Sequence, residues 1–238
     1  MIKKAVYEDD SIRCVTGETL RPGGFFLTER AISLCNLEKK GLKALDIGCG
    51  IGATVNYLQT EFGIEALGID PSEKLIKLGK DKYDLSLTMG KGEFLPYGES
   101  YFDLVFTECS LSLMDNHRKT IGEVYRVLKP GGYFIISDVF AKRPEYIEEL
   151  KKTKIKSCLR NLFDLDILSA EINDAGFKTL VLEDWSSLLK KLMVEIIFKY
   201  GSMKEFWNIT TCRNCDEFRE KLGLCKPGYF LMIGQKGV

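Results

Sequence analysis

Residues 42 to 52 read Leu-Lys-Ala-Leu-Asp-Ile-Gly-Cys-Gly-Ile-Gly, an apolar run that ends on Asp46 and breaks into three alternating glycines ahead of a helical stretch at 53–62. This pattern commits the chain to a strand–turn–helix unit built to hold a ligand. Gly48, Gly50 and Gly52 carry no β-carbon to keep a ligand off the backbone, and they reach the positive φ angles of a tight turn. The helix that follows points its free N–H groups at whatever sits on the turn. A second apolar run, 64–69, ends on Asp70 eighteen residues beyond Gly52, where a carboxylate can accept hydrogen bonds from a ribose diol.

Two cofactors compete for such a turn. The stretch 48–53 also satisfies the G-x-G-x-x-G/A dinucleotide pattern, so the glycines alone do not separate a nicotinamide from S-adenosylmethionine. Asp46 favours the second, because a carboxylate two residues before the first glycine repels a pyrophosphate but suits an ammonium group.

Beyond the turn, strand and helix patterns alternate: strands at 42–47, 64–69, 84–88, 102–107 and 132–138, with helices at 25–37, 53–62, 72–80 and 116–128. That order predicts a mostly parallel sheet with helices on both faces. Helices near 144–156 and 165–175, a strand at 177–182 and a final strand at 228–234 complete the pattern. About 45 residues separate these last two strands, far more than a simple connection needs. Leu188, Leu189, Leu192, Met193, Ile196 and Ile197 give this insert an apolar helical face.

Four segments in this order resemble the class I S-adenosylmethionine-dependent methyltransferases: the glycine turn, then Glu-Phe-Leu-Pro-Tyr at 93–97, Phe-Asp-Leu-Val-Phe at 102–106, and Val-Leu-Lys-Pro-Gly-Gly-Tyr-Phe-Ile-Ile-Ser-Asp at 127–138. The resemblance covers roughly 25–185. It implies an α/β, doubly wound, mostly parallel seven-stranded Rossmann-like sheet with a helical cap between the last two strands. The single domain would comprise an N-terminal lid (1–24), a core (25–185 and 226–238) and a cap (186–225) roofing an acceptor pocket. It also implies S-adenosylmethionine as cofactor, bound by Asp46, Gly48, Cys49, Gly50, Gly52, Asp70, Pro71, Gly92, Glu93 and Glu108. Lys91 stands where the family usually has an adenine-side Asp, which leaves the backbone at Gly92 and Glu93 to read the ring. Glu108 is the leading base if the acceptor is a hydroxyl or amine, although positioning alone can carry methyl transfer.

A narrower resemblance, to arsenite methyltransferases, runs through 109–115, 123–132, 137–140 and Cys158 ahead of Ala-Gly-Phe at 175–177. It implies a thiolate acceptor site in which Cys158 meets at least one of Cys14, Cys212 and Cys215, with Cys109 near the sulfonium. The rivals from other classes are a cofactor-binding regulatory protein without turnover and a nicotinamide oxidoreductase. Cys212 and Cys215 with Cys225 fall short of a zinc signature, and no metal is expected.

Lys plus Arg equals Asp plus Glu at 34 each, so no global field draws the chain to nucleic acid or an anionic membrane. A hydrophobic content of 45% without an apolar run near 20 residues argues against a membrane span. The first ten residues hold no apolar h-region, so a cytoplasmic location is expected, and the eight cysteines read as thiols. A small-molecule acceptor is the expected partner, and the sequence leaves oligomeric state open.

Overall fold

The computed structural model describes residues 13, 16–37, 41–153, 155, 157–210 and 216–237, with backbone alone at 207–210. Its strands are β1 (Lys43–Ile47), β2 (Glu65–Asp70), β3 (Leu87–Met89), β4 (Phe102–Glu108), β5 (Leu128–Ala141), β6 (Phe177–Asp184) and β7 (Pro227–Lys236). They form one sheet in the order β3-β2-β1-β4-β5-β7-β6. The pairings from β3 across to β5 are parallel, while β7 runs antiparallel to both of its neighbours. This is the seven-stranded, mostly parallel sheet that the sequence implies.

The helices are α1 (Phe26–Leu34), α2 (Ala53–Phe62), α3 (Glu73–Tyr83), α4 (His117–Val127), α5 (Ile147–Lys151), α6 (Leu165–Asp174), α7 (Ser186–Tyr200), α8 (Met203–Thr210) and α9 (Asp216–Cys225). Local chemistry sets their starts. Ser72, Asn116 and Asp164 each accept a backbone N–H of the first turn of α3, α4 and α6. Gly52 enters α2, and Gly63 ends it, both in the left-handed region.

Central strands buried on both faces split their side chains between two cores. Ala44, Leu104, Phe106, Ile135, Tyr229, Leu231 and Ile233 point to the side covered by α1 and α2. Their neighbours Leu45, Val105, Phe134, Ile136, Phe230 and Met232 point to α4 and α6.

Three expectations need correction. The helix foreseen at 144–156 shrinks to α5, because the Thr153 N–H and hydroxyl both bond the Leu150 carbonyl and close it. Strand β5 starts at Leu128 rather than 132, since Leu128 already pairs with Phe102 across a register shift. Strand β3 covers Leu87–Met89 rather than 84–88. The described part of the insert holds α7 to α9. Leu189, Ile196, Phe206, Phe218 and Cys225 are buried in the α1/α2-side core, and no described residue of 186–225 lines either cavity named below. The insert covers that face of the sheet. Its apolar face is also wider than its buried stripe, since Met193 and Ile197 stay exposed. Among the described residues no helix is long and apolar enough to cross a membrane.

Candidate functional site

The parallel strands β1, β2 and β4 all deliver their last residues to one edge of the sheet, where open α/β folds place ligands. A cavity of about 310 Å³ opens there, lined by the turn 48–50, Asp70, Pro71, the loop 90–93, residues 108–110 and the loop 113–115. Glu18, Thr19 and Leu20 close its other side. Thus Gly48, Cys49, Gly50, Asp70, Pro71, Gly92, Glu93, Glu108 and Cys109 all reach one space, while Asp46 lies buried behind it.

The three glycines divide their labour. All have positive φ, from 56° to 80°. A β-carbon on Gly48 would lie 2.4 Å from that of Ser110, whose hydroxyl donates to the Ile47 carbonyl at 2.6 Å. One on Gly52 would lie 2.8 Å from Leu85. Only Gly50 has room, its nearest neighbours being Leu20 and Leu75 at 3.9 Å. Sequence reasoning assigned all three to ligand approach; two of them serve protein packing as well. Replacing Gly48 with alanine should therefore cost about 1–3 kcal/mol in strain and steric repulsion. Thermal unfolding would register this as a lower midpoint, by about 2–4 °C per kcal/mol.

Asp70 holds the turn in place. One carboxylate oxygen accepts the Gly50 N–H at 2.9 Å and the other the Ser72 N–H at 2.8 Å. Asp46 has no such support: among the described residues no side chain or backbone group donates to its carboxylate. Burial, then the nearby negative charges of Glu108 and Asp70, push its pKa up to about 8, with Arg21 opposing. A cation placed next to Asp46 would be strongly favoured. Cys49 is 8% exposed and sits against Gly68; burial and the two aspartates raise its thiol well above the ordinary range, so it stays protonated.

Glu108 lines the cavity with its carboxylate already engaged. Its side chain is 2% exposed and ion-paired to Arg21 at 2.8 Å. One of its oxygens accepts the Thr28 hydroxyl at 2.8 Å and the other the Thr54 hydroxyl at 3.0 Å. A carboxylate so committed anchors structure. Sequence reasoning missed Arg21, Thr28 and Thr54, because the stretch Arg-Pro-Gly-Gly at 21–24 signals a turn and says nothing of what the arginine reaches. At the cavity mouth Lys91 pairs with Asp115 at 2.9 Å, and Glu93 accepts the Asn116 N–H at 3.1 Å.

Cys109 occupies the left-handed region at φ 57° and donates its N–H to Ser137 at 2.7 Å. Its thiol and that of Cys158, both free, interact by hydrogen bonding. That bond raises Cys109 well above its ordinary value and lowers Cys158. The expected partners of Cys158, namely Cys14, Cys212 and Cys215, lie outside the described residues. Among the described residues no group of three or more His, Cys, Asp or Glu side chains could hold a metal ion.

A second cavity, about 920 Å³, adjoins the first across Leu113, Met114 and Asp115 on the α4/α6 side. Its charged groups are largely paired: Glu171 with His117 and Arg118, and Glu148 with Lys151.

Residues 45–136 match the family described as a methyltransferase domain. Phosphoethanolamine N-methyltransferase 1 of Zea mays is 26% identical over 188 residues, 77% of this chain and 37% of the relative. The chain thus spans little more than a third of that relative's length. The phosphoethanolamine N-methyltransferase of Plasmodium falciparum is 25% identical over 211 residues, 84% of this chain and 79% of the relative. Among solved structures, Haemonchus contortus phosphoethanolamine N-methyltransferase 2 with phosphomonomethylethanolamine and S-adenosylhomocysteine superposes with a TM-score of 0.72 at 20% identity, covering 96% of this chain and 57% of that one. The [4+2]-cyclase SpnF superposes with 0.71 at 20% identity, covering 100% and 89%. One fold therefore serves proteins named for different reactions, and the chemistry has to be argued from the site.

Proposed function

We propose that this chain, whose residues 45–136 match a methyltransferase domain, is a class I S-adenosylmethionine-dependent methyltransferase that moves the methyl group of S-adenosylmethionine to a small-molecule acceptor. The observation that carries this reading is the meeting of the glycine turn, Asp46 and Asp70 around one cavity at the sheet edge. Three carboxylates near that cavity, with one arginine among them, suit a ligand bearing an ammonium and a sulfonium. A dinucleotide's pyrophosphate would meet Asp70 as a like charge and would keep Asp46 from ionising, which disfavours the nicotinamide reading.

The residues fit the cofactor in detail. Asp46 is a buried carboxylate lacking a partner, and it answers the amino group. Gly50 leaves room beside the turn for the methionine part, with Gly48, Cys49 and Gly52 shaping that turn. Asp70, followed by Pro71, holds the ribose hydroxyls, while the backbone at Gly92 and Glu93, with Leu113 and Met114 as walls, takes the adenine. When bound, the cofactor supplies an electrophilic methyl whose bond to sulfur breaks as the acceptor bond forms, the electron pair staying on sulfur. This protein contributes orientation and exclusion of water. With Glu108 engaged elsewhere, the acceptor must bring its own lone pair without help from that base. The acceptor end lies beside Cys109 and beneath 18–20, within a single domain whose lid is the N-terminal segment and whose insert at 186–225 is structural.

The arsenite alternative is not favoured: the curated relatives are named for phosphoethanolamine and sterol methylation. The five described cysteines are all free thiols. Calorimetry should detect S-adenosylhomocysteine binding, and an acceptor panel of amines, hydroxyls and thiols should release it from S-adenosylmethionine. Absence of binding would overturn the proposal. Binding without turnover on any acceptor would instead favour the regulatory reading.

A further inference from the structure

We propose that Arg21 is a positioning residue for the methyl-transfer site: it latches the strap 17–25 to the floor of the cofactor cavity, and so holds the strap closed over the bound cofactor. The inference rests on the function proposed above.

The strap has little else to hold it down. Its 3-10 turn, Gly17–Thr19, buries no residue, and Leu20 after it takes the left-handed φ of 53°. Yet Glu18, Thr19 and Leu20 line the cavity. Immediately beyond them Arg21 is 4% exposed. Its guanidinium donates to the Gly24 carbonyl at 2.9 Å, the Thr54 hydroxyl at 2.8 Å and the Thr28 hydroxyl at 2.7 Å, while pairing with Glu108 at 2.8 Å. One side chain thereby joins the strap to α1, to the first turn of α2 behind the glycine turn, and to the end of β4. Arginine is the residue whose fork can make all four contacts at once.

The remaining strap contacts lie at its edges. Glu18 reaches Lys82 and Tyr83 at the exposed end of α3, and Gly23 leaves room for Leu188 of α7, 2.9 Å from where a β-carbon would stand. Phe25 stacks on Tyr57 of α2 at a centroid distance of 4.0 Å. These fix where the strap begins and ends; Arg21 fixes its middle, directly above the cavity. The latch also sets charge. Among the described residues Arg21 is the cation paired with the buried Glu108, and it balances that carboxylate at the cavity.

Removing Arg21 alone would strand Glu108, so the test uses Arg21→Met/Glu108→Gln, which removes both charges, beside Arg21→Lys. Hydrogen exchange in the cofactor-free protein should speed at least tenfold across 17–25 in the double variant, with β1 and β4 protected as in the wild type. Affinity for S-adenosylhomocysteine should fall at least tenfold in the double variant, and less in Arg21→Lys. Wild-type exchange in the strap together with wild-type affinity in a folded double variant would overturn the latch. Should the wild type itself bind no S-adenosylhomocysteine, the function proposed above would fail, while the exchange of the cofactor-free strap would still decide whether Arg21 holds it.

Discussion

Asp70→Ala should weaken S-adenosylhomocysteine binding by about two orders of magnitude while the sheet stays folded. Two effects combine. The carboxylate now holds the Gly50 and Ser72 N–H groups at 2.9 and 2.8 Å, so its loss loosens the turn against which the ligand lies. It also removes the acceptor proposed for the ribose hydroxyls. Hydrogen bonds to a charged group contribute about 1.5–3 kcal/mol each, and about 2.7 kcal/mol is a hundredfold in affinity. Asp70→Asn, which keeps the size and one acceptor, should lose less. An unchanged dissociation constant in folded Asp70→Ala, measured by calorimetry, would remove Asp70 from the site.

Asp46→Asn should do the opposite to the cofactor-free protein and stabilise it. Burial raises the folded-state pKa of Asp46 to about 8 from 3.8. For an acid raised in this way, folding favours the protonated form. Its contribution is whole below about pH 3.8 and is lost as pH climbs through about 8. Each pKa unit corresponds to about 1.36 kcal/mol, so at pH 8 the rise from 3.8 to about 8 costs the fold up to about 5 kcal/mol. Asparagine avoids that cost. Urea unfolding should show the variant more stable than wild type at pH 8 and nearly equal to it at pH 4. Affinity for S-adenosylhomocysteine should drop about tenfold or more, because the amino group loses its counter-charge. Asp138 has its own pKa raised to about 6 by burial and adds the same slope to both proteins, so only the difference between them reports Asp46. Equal pH slopes in the two would refute the assignment.

Sequence reading succeeded where one residue type has one physical use. Glycines at 48, 50 and 52 needed positive φ, and aspartates at strand ends needed a polar edge, so both were legible before any coordinates. Most strand boundaries followed from apolar runs bounded by turn residues; the larger shifts are at β3, which begins at Leu87 rather than 84, and at β5, which starts before a register change at Phe102. What could not be read was long-range polar pairing. Glu108 looked available because sequence shows a carboxylate at the end of a strand but not the arginine 87 positions earlier that claims it. The insert was read by its apolar helical face, part of which, Leu189 and Ile196 of α7, is buried against the side of the sheet. Cys158 meets Cys109, a pairing the sequence does not signal, while Cys14, Cys212 and Cys215, expected beside it, lie outside the described residues.

The place of β7 has a consequence for how this chain reaches its fold. β7 lies between β5 and β6, yet it is made after both, once the insert following Asp184 has been completed. Until then β6 has no neighbour in the sheet, and its Leu180 and Leu182 add to the apolar surface on show. Pairings such as Tyr133 with Gln235 close very long loops, and contacts of that range form slowly. The β1–β4 half, with nearer pairings, can assemble first. The late step in refolding should then be insertion of the reversed strand, and a folding intermediate with an ordered cofactor edge and an unzipped β5/β6 margin is the species most exposed to aggregation.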